Sequence, residues 1–234
     1  MVSVIIPSVK GDEMLEDCIR AVRYSSYKYV EVIVVCEGLE RSAQRNLGLE
    51  RANGRYILIL DSDQMVHPKL IEECVGLMEQ GYGAVYIPEI ITTPGFFGRL
   101  RNWERRFYTG TAVDVVRCVR RGCPKFDEKM SGPEDSDWDR RVNGLRKVAT
   151  YPVFHHDNVG FIQYLKKKIY YTKSMGEFEK KNPGDKVLDW KWRCFGVFVE
   201  REKWRNIIAK PHLFICLVGL ILIRGIVYVT NKNV

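Results

Sequence analysis

The feature that most constrains the fold is an alternation of short apolar runs and amphipathic segments over the first 90 residues. Each apolar run is short enough for a buried strand, and between the runs apolar residues recur every three or four positions. The runs are VSVIIPS, VEVIVVCEG, RYILILDSD and GAVYIPEI, separated by DEMLEDCIRAVRYS, ERSAQRNLGLERANG and HPKLIEECVGLMEQG. Strands that alternate with helices at this spacing predict an α/β fold with a mostly parallel central sheet flanked by helices.

Beyond the fourth run the pattern weakens, and residues 92–132 are expected to form loops and one basic helix. The net charge of the 234-residue chain is +8, which favours an anionic partner such as a phosphorylated substrate, a lipid headgroup or nucleic acid. The seven cysteines contain no CxxC pair, which argues against a metal-thiolate site and against a disulfide framework.

The third apolar run ends on two acids, Asp61 and Asp63. In open α/β sheets ligands bind at the carboxyl ends of the strands, which is where these carboxylates are expected. Two carboxylates spaced one residue apart can both offer oxygens to a hard divalent cation, which in turn can neutralise a diphosphate. The alternative is a solvated loop that caps the following helix.

A second acidic cluster lies in SGPEDSDWDRRV, where four acids occur within six residues. They are Glu134, Asp135, Asp137 and Asp139. Mutual repulsion predicts that some of them pair with a cation or have a raised pKa suited to proton transfer. The alternative is a helix N-terminus favoured by its dipole, with Arg140 and Arg141 as local partners.

Taken together, these segments resemble the family 2 glycosyltransferases, which have the GT-A fold. VSVIIPS and VEVIVVCEG match the first two strands of the family, and SAQRNLGLERANGRYILILDSDQMVHPKLI matches the stretch that contains its DxD motif. KFDEKMSGPEDSDWDRRV matches the turn that leads to its Glu-Asp motif. The likeness extends from Val2 to Asn158 with motifs in consistent order, so it is more specific than any single motif.

The resemblance implies a role for individual residues. Asp135 would be the catalytic base, with Glu134 supporting it. The residues expected to bind the nucleotide-sugar are Pro7, Ser8, Glu37, Arg45, Asn46, Asp61, Ser62 and Arg141. Cys36 replaces the first of two usual acids and Lys10 replaces the usual asparagine, which leaves the preferred nucleobase open.

The same resemblance implies a divalent cation, Mg²⁺ or Mn²⁺, held by Asp61 and Asp63. Members of this fold often add a histidine contact, and YPVFHHDN supplies two adjacent histidines after a strand-like run. Because alternation along a strand would point only one of them into the site, we expect His156 to be that contact. A structural histidine is the alternative.

The implied reaction transfers a sugar, with inversion, from a nucleotide diphosphate-sugar to an acceptor. The second half of the chain favours a lipid-linked acceptor, a polyprenyl phosphate or a lipid-linked glycan. FIQYLKKKIYYTKSMGEF and DWKWRCFGVFVEREKW mix lysines with aromatic residues, as expected of helices on an anionic membrane surface. A solvated basic helix is the alternative, and single-stranded nucleic acid, which such residues would also suit, is not expected.

The chain is expected to comprise a GT-A catalytic domain at 1–160, a basic and aromatic helical segment at 161–211, and a hydrophobic membrane segment at 212–230. HLFICLVGLILIRGIVYVT is close to the length that spans a bilayer, and an interfacial or core helix is the alternative. Lys203, Arg205 and Lys210 precede this segment and only Lys232 follows it, which predicts a catalytic domain on the cytoplasmic side of a membrane.

Other functions compete with this hypothesis. ILILDSDQM resembles the strand and DxD of haloacid-dehalogenase-type phosphatases, but in that superfamily the strand usually comes first. A catalytically silent, membrane-tethered GT-A module would not need the intact acids Asp61, Asp63, Glu134 and Asp135. A nucleic-acid-binding function would explain the positive net charge of the chain but none of these acids.

Overall fold

The structure is a computed structural model that describes residues 1–38, 40–157 and 159–231. Asn158, at which the resemblance ends, and Lys232, which enters the topology prediction, lie outside the described residues.

The chain forms nine strands and ten α-helices within the described residues. The strands are β1 (Val2–Pro7), β2 (Val30–Val35), β3 (Tyr56–Ile59), β4 (Gln64–Val66), β5 (Ala84–Tyr86), β6 (Glu89–Ile91), β7 (Val116–Arg120), β8 (Arg146–Val148) and β9 (Val153–His155). The helices are α1 (Leu15–Arg23), α2 (Arg41–Arg51), α3 (Leu70–Glu79), α4 (Gly95–Tyr108), α5 (Glu134–Arg141), α6 (Phe161–Thr172), α7 (Met175–Lys181), α8 (Val197–Val199), α9 (Trp204–Ala209) and α10 (Pro211–Asn231). A π-helical turn, Trp192–Gly196, leads into α8.

The central sheet has the strand order β2-β1-β3-β7-β5-β8. Strands β1, β2 and β3 pair in parallel, β5 pairs in parallel with β8, and β7 is antiparallel to both of its neighbours. All strands of this sheet except β7 therefore run in one direction, which confirms the predicted mostly parallel sheet. A smaller sheet of order β4-β9-β6 lies beyond the carboxyl end of β3.

Two parts of the prediction differ from the structure. The predicted fourth strand is divided at Ile87 and Pro88 into β5 and β6, which belong to different sheets. Strand β7 lies where only loops and a basic helix, observed as α4, were expected. In its sequence VRCVR, Arg117 separates the buried Val116 and Cys118 and Arg120 ends the strand, so the polar residues made a central strand hard to recognise.

Each face of the central sheet is covered by helices, as the apolar runs require. Side chains of α1 and α3 pack on one face around Leu58 and Ile71, and α2 and α5 pack on the other around Ile57 and Trp138. Gly48 allows α2 to approach β1 closely, because a Cβ at this position would lie 2.3 Å from Ile5 Cγ2.

A third apolar cluster joins α4 to the C-terminal helices. It contains Trp103 and Phe107 from α4, Tyr164 from α6, and Leu213, Leu217 and Leu220 from α10. The cluster is shared by α4, which lies within the predicted catalytic domain, and by both predicted C-terminal segments.

Helix α10 is the one helix among the described residues that is long and apolar enough to cross a membrane, with 21 residues and a mean hydropathy of 2.4 over 18 of them. One side of it packs against α4 and α6, and on that side, two turns before the helix ends, Arg224 forms a bidentate ion pair with Glu104 of α4. The opposite side exposes apolar side chains at Ile215, Leu222, Ile226 and Val229.

Candidate active site

The DxD motif forms a tight turn directly after β3. Gln64 holds the turn, because its backbone N–H donates to the Asp61 carbonyl at 3.0 Å and its side-chain Oε1 accepts from the Asp61 N–H at 3.1 Å. The chain then reverses into β4, so Asp61 and Asp63 lie at the carboxyl end of β3. The two carboxylates are only partly exposed, at 21% and 35% of their side-chain areas.

The histidine beside this turn is His155 rather than His156. Strand β9 pairs antiparallel with β4 and sets Gln64 opposite His155. His155 Nε2 lies 3.1 Å from Asp63 Oδ2, and its Nδ1 lies 2.6 Å from Glu89 Oε1. His156 has an exposed side chain and contributes only its backbone N–H to the Asp63 carbonyl. We expected the His156 ring here, but the register of β9 turns the His155 ring toward the DxD turn and leaves the His156 ring exposed.

Arg45 connects the DxD motif to the Glu-Asp motif. Its guanidinium, buried in α2, donates to Asp61 Oδ1 at 3.1 Å and also forms a short ion pair with Asp135. Glu134 Oε1 lies 3.8 Å from the same guanidinium. Two acidic motifs that are far apart in sequence therefore meet at one arginine.

Helical geometry separates the four acids of α5 into two pairs. Glu134 and Asp135 lie in the first turn, and both face Arg45. Asp137 pairs instead with Arg141 at 2.7 Å. Asp139 is buried, pairs with Arg146 at 2.6 Å and accepts from the backbone N–H of Val116. Only the first pair belongs to the site. Of the second pair, Asp137 forms an ion pair within α5, whereas Asp139 anchors the helix to β7 and β8.

The turn before α5 is shaped by Gly132. Its φ of +105° is a left-handed conformation that favours glycine, and a Cβ here would lie 2.7 Å from the Tyr171 Cα. Helix α6 therefore packs directly against the turn that presents Glu134 and Asp135.

The carboxylates of the site differ in their protonation. Burial opposes ionisation of Asp61, but Arg45, Arg117, Arg41 and His155 hold its pKa well below the ordinary value. Burial and the neighbouring charge of Asp135 raise the pKa of Glu134 to about 7, against 4.5 ordinarily. Burial also opposes protonation of His155, yet its hydrogen bonds to Asp63 and Glu89 raise its pKa to about 9.

Several buried polar atoms of the site have no hydrogen-bond partner in the part of the chain that the structure describes. They are Asp63 Oδ1, Glu134 Oε2 and Arg45 Nε. Unpaired buried polar atoms are costly, so their concentration here indicates a site built for a polar ligand. No three potential ligands within the described parts of the chain form a preassembled metal site. Two carboxylates, completed by water and substrate phosphates, are nevertheless a common donor set for Mg²⁺, and the free Asp63 oxygen fits such a cation.

Four of the predicted nucleotide-sugar residues lie at or just after the ends of strands. Pro7, Ser8 and Ser62 lie at the strand ends beside the site, where Asp12 accepts hydrogen bonds from both serines. Glu37 follows β2, where it is exposed and pairs with Arg51 at 3.0 Å.

Two other predicted residues are not brought into the cluster. The Asn46 side chain is buried and makes hydrogen bonds to the backbone of Phe126 and to Glu128, which gives it a structural role. Arg141 is bound to Asp137 and to the Lys125 carbonyl, away from Asp135. Their assignment to nucleotide-sugar binding is not supported by these contacts.

Sequence reasoning missed several charged residues of the site. Arg117 on β7 lies 3.8 Å from Asp61 and 3.1 Å from Glu89, and it was missed because β7 itself was not predicted. Arg41 lies one helical turn before Arg45, and the charges of Asp61, Tyr171 and Asp135 raise its pKa although burial opposes this. The i, i+4 spacing of Arg41 and Arg45 is a signal that could have identified Arg41.

The raised pKa of Glu134 gives a testable dependence of stability on pH. Because its carboxylate is disfavoured in the folded protein, the contribution of Glu134 to stability should fall as pH rises from about 4.5 to about 7 and then stay constant. Glu134→Gln does not titrate, so relative to the wild type it should gain about 1 to 3 kcal/mol of unfolding free energy across that window. Urea unfolding of both proteins at pH 5 and pH 8 measures this. A difference that is constant with pH would contradict the raised pKa.

Comparisons with known proteins extend over most of the chain. The family model described as glycosyl transferase family 2 matches residues 37–171, more than half of the sequence. A search of curated protein sequences finds no match. The haloacid-dehalogenase alternative therefore has no support from the comparisons.

Solved structures of glycosyltransferases share the fold. The mannosyltransferase PcManGT from Pyrobaculum calidifontis, solved in complex with GDP-Man and Mn²⁺, superposes with a TM-score of 0.63 and 14% identity over 99% of this chain and 87% of its own. Residues 1–349 of S. aureus TarS give a TM-score of 0.53 and 14% identity over 99% and 88% of the two chains.

The longer S. aureus TarS structure gives a TM-score of 0.52 and 14% identity over 99% of this chain. The chain spans about half of that protein, 54% of its length. The matched family region contains the DxD turn, the Glu-Asp pair and the arginine that joins them. The protein belongs to glycosyl transferase family 2.

Proposed function

We propose that the protein transfers a sugar, with inversion, from a nucleotide diphosphate-sugar to a phosphate-bearing lipid acceptor, and that it requires Mg²⁺ or Mn²⁺. The observation that carries the proposal is the shared contact of Asp61 and Asp135 with Arg45. A diphosphate held near Asp61 would lie close to the carboxylate that activates the acceptor, as a one-step displacement requires.

The donor side of the proposal rests on the charges around the DxD turn. Asp61, Asp63 and His155 would hold the cation, which supplies electrostatic stabilisation of the departing diphosphate when bound. Binding of GDP-Man and Mn²⁺ by the similar PcManGT supports this donor class. Ser8 and Ser62 would contact the nucleotide, and Glu37 would lie toward the base.

The acceptor side assigns the first turn of α5 to proton transfer. Asp135 would take the proton of an acceptor hydroxyl, and Glu134, buried beside it, would favour a single negative charge on the pair. Arg45 would hold Asp135 in position through its ion pair. Attack from the side opposite the leaving group gives inversion at the anomeric carbon.

Helix α6 carries the support for a phosphate-bearing acceptor. Around the buried ring of Tyr164 lie three cations, with Arg101, Arg224 and Lys168 at 4.6, 5.2 and 5.3 Å from its centroid. Arg101 and Arg224 pair with carboxylates, whereas Lys168 forms no ion pair within the described parts of the chain. Burial and the neighbouring arginines lower the pKa of Lys168 to about 7, so a phosphate beside it would relieve the excess positive charge.

The same helix gives a route from this cation cluster to the base. Lys168 lies 5.5 Å from the ring centroid of Tyr171, one turn further along α6. The backbone of Tyr171 packs on Gly132, just before Glu134 and Asp135. A lipid-linked acceptor whose phosphate contacts Lys168 could therefore present its nucleophile to Asp135.

The proposal includes membrane attachment. Residues 1–160 form the catalytic domain, 161–211 the basic and aromatic helical segment, and 212–230 the apolar segment that contacts the bilayer. The large exposed apolar surface of α10 supports attachment. We place the catalytic domain on the cytoplasmic side.

The function is tested by mass spectrometry of the products formed from a panel of nucleotide diphosphate-sugars. The purified full-length chain is incubated with each donor and Mn²⁺ or Mg²⁺, with and without a membrane lipid extract. We expect slow release of nucleoside diphosphate from one donor class alone, and a glycosylated lipid when extract is added. Donor cleavage without any glycosylated lipid would contradict the lipid acceptor.

Lys168 provides a test of the acceptor assignment. Lys168→Gln should raise the KM for a phosphate-bearing lipid acceptor about 10-fold or more, because a charge-assisted contact with phosphate is lost. Donor hydrolysis in the absence of acceptor should be unchanged. Lys166→Gln, which changes an exposed lysine of the same helix, is the matched control. Equal acceptor KM values for the two variants would remove Lys168 from the acceptor site.

A further inference from the structure

A basic cavity lies between α4 and the beginning of α10, outside the candidate active site. Its volume is about 370 Å³. Four of its lining residues, Arg99, Arg106, Lys210 and His212, are basic, and they surround an apolar floor that includes Trp103. Among the residues that the structure describes, no carboxylate lines the cavity.

The basic side chains of this cavity lack partners. Arg99, Arg106, Lys210 and His212 make no side-chain hydrogen bond or ion pair within the described part of the chain. Two other arginines of α4 are paired, since Arg101 contacts Asp157 at 3.2 Å and Arg105 contacts Glu89 at 2.8 Å. Helix α4 thus has one neutralised side and one side whose positive charge is uncompensated, and that side fits an external anion.

The exposed apolar side of α10 begins next to the basic cavity. Pro211 starts the helix, and Ile215, one turn later, is 73% exposed. Leu222, Ile226 and Val229 continue the apolar surface, with exposures of 64%, 64% and 73%. An apolar surface bordered by unpaired cations matches the boundary between acyl chains and anionic headgroups.

The ion pair of Arg224 restricts how lipid can reach α10. Arg224 lies about 20 Å along the helix from Pro211, two turns before its last residue, Asn231. Its contact with Glu104, 2.8 Å between Nη2 and Oε2, holds this part of α10 against α4. Because α4 carries exposed arginines, it would not enter the hydrocarbon core with α10. Lipid therefore contacts α10 from its outward side, with headgroups at the level of the basic cavity.

We propose that the basic cavity binds the phosphate of an anionic phospholipid whose acyl chains lie along the outward side of α10. This contact would fix the orientation of the catalytic domain on the membrane. The inference rests on the proposed membrane attachment but not on the proposed sugar transfer. A soluble phosphate would use the cations alone, whereas a phospholipid uses both the cavity and the adjoining apolar surface.

The test measures partitioning of the full-length protein onto vesicles of phosphatidylcholine, with and without phosphatidylglycerol. Arg99→Gln/Arg106→Gln should lower partitioning onto phosphatidylglycerol-containing vesicles about 30-fold, from about fivefold per basic residue near an anionic surface. Partitioning onto phosphatidylcholine alone should be unchanged. Arg20→Gln/Arg23→Gln removes the same charge from the exposed end of α1 and should change partitioning less than about twofold.

Native mass spectrometry in non-ionic detergent distinguishes a defined site from diffuse attraction. The wild type and the α1 variant should each retain one phosphatidylglycerol molecule, and the α4 variant none. Equal retention by all three proteins, or equal partitioning of the two double variants, would overturn the proposal. Displacement of the lipid by inorganic phosphate alone would reassign the cavity to a soluble anion and also overturn it.

Two further outcomes separate this proposal from the proposed function. If the protein binds phosphatidylglycerol at the cavity but transfers no sugar, the headgroup site is supported and the proposed sugar transfer is contradicted. Failure to bind any vesicle, together with concentration-dependent dimerisation, would assign the apolar side of α10 to a second copy and overturn the headgroup site.

Discussion

Asp135→Asn is expected to lower the rate of sugar transfer to a hydroxyl acceptor about 100-fold or more while donor binding is retained, because an amide cannot take the acceptor's proton. Asparagine keeps the shape of the side chain and an oxygen that can accept from Arg45, so the site should remain assembled. Single-turnover transfer assays measure the rate, and calorimetry with the donor measures the binding.

The result also reports on the acceptor. A lipid-linked glycan attacks through a hydroxyl that must lose a proton, whereas a polyprenyl phosphate is already an anion. The full loss is expected for the first and a much smaller loss for the second. Near-normal transfer to an acceptor shown to react through a hydroxyl would rule out Asp135 as the base.

Much of this site could be predicted from the sequence because its acids follow local patterns. Asp61 and Asp63 end a strongly apolar run, and Glu134 and Asp135 begin a helix after Gly132. Strand ends and helix starts are local features, so residues close in sequence suffice to recognise them. The family resemblance adds that the two acidic pairs belong to one site. In the structure they are connected because Asp61 and Asp135 both contact Arg45.

The residues that neutralise these acids could not be predicted in the same way. Arg117 reaches Asp61 only because β7 is inserted antiparallel between β3 and β5, a pairing without a local signal. The choice between His155 and His156 depends on the register of β9 against β4, and a shift of one residue would exchange the two rings. Long-range register is a property of the assembled sheets rather than of the segment YPVFHHDN that contains the histidines.

The C-terminal segment shows a related limit. Its length and hydropathy predict a membrane helix, yet they do not show that Leu213, Leu217 and Leu220 complete an apolar cluster with α4. Nor do they reveal that Arg224 is the partner of Glu104. Removing α10 would leave the buried Glu104 with only the longer contact to Arg101, at 3.9 Å, in place of its bidentate pair with Arg224. Loss of a buried ion pair is typically destabilising, so membrane attachment is better tested on the full chain.

Asp63→Ala is expected to abolish the Mn²⁺-dependent part of nucleoside diphosphate binding. Asp63 Oδ1 is buried without a partner in the protein, and Oδ2 faces His155, so this carboxylate is oriented for a cation. The fold should survive, because the side chain is one-third exposed and its structural contact, from the His156 N–H, uses the backbone carbonyl. Calorimetry with UDP and GDP, with and without Mn²⁺, measures the effect, and unchanged metal-dependent affinity would remove the metal assignment.

The adjacent histidines supply a matched pair for the same measurement. His155→Ala removes a ring that contacts Asp63 and should weaken Mn²⁺-dependent binding, whereas His156→Ala removes an exposed ring and should not. The same calorimetric titrations compare the two variants. A larger loss for His156→Ala would mean that the strand pairing changes when the donor binds, since only a one-residue shift of β9 brings that ring to Asp63. A loss seen with His155→Ala and Asp63→Ala but not with His156→Ala would instead place the imidazole at the end of β9 beside the carboxylates of the DxD turn in the cation site.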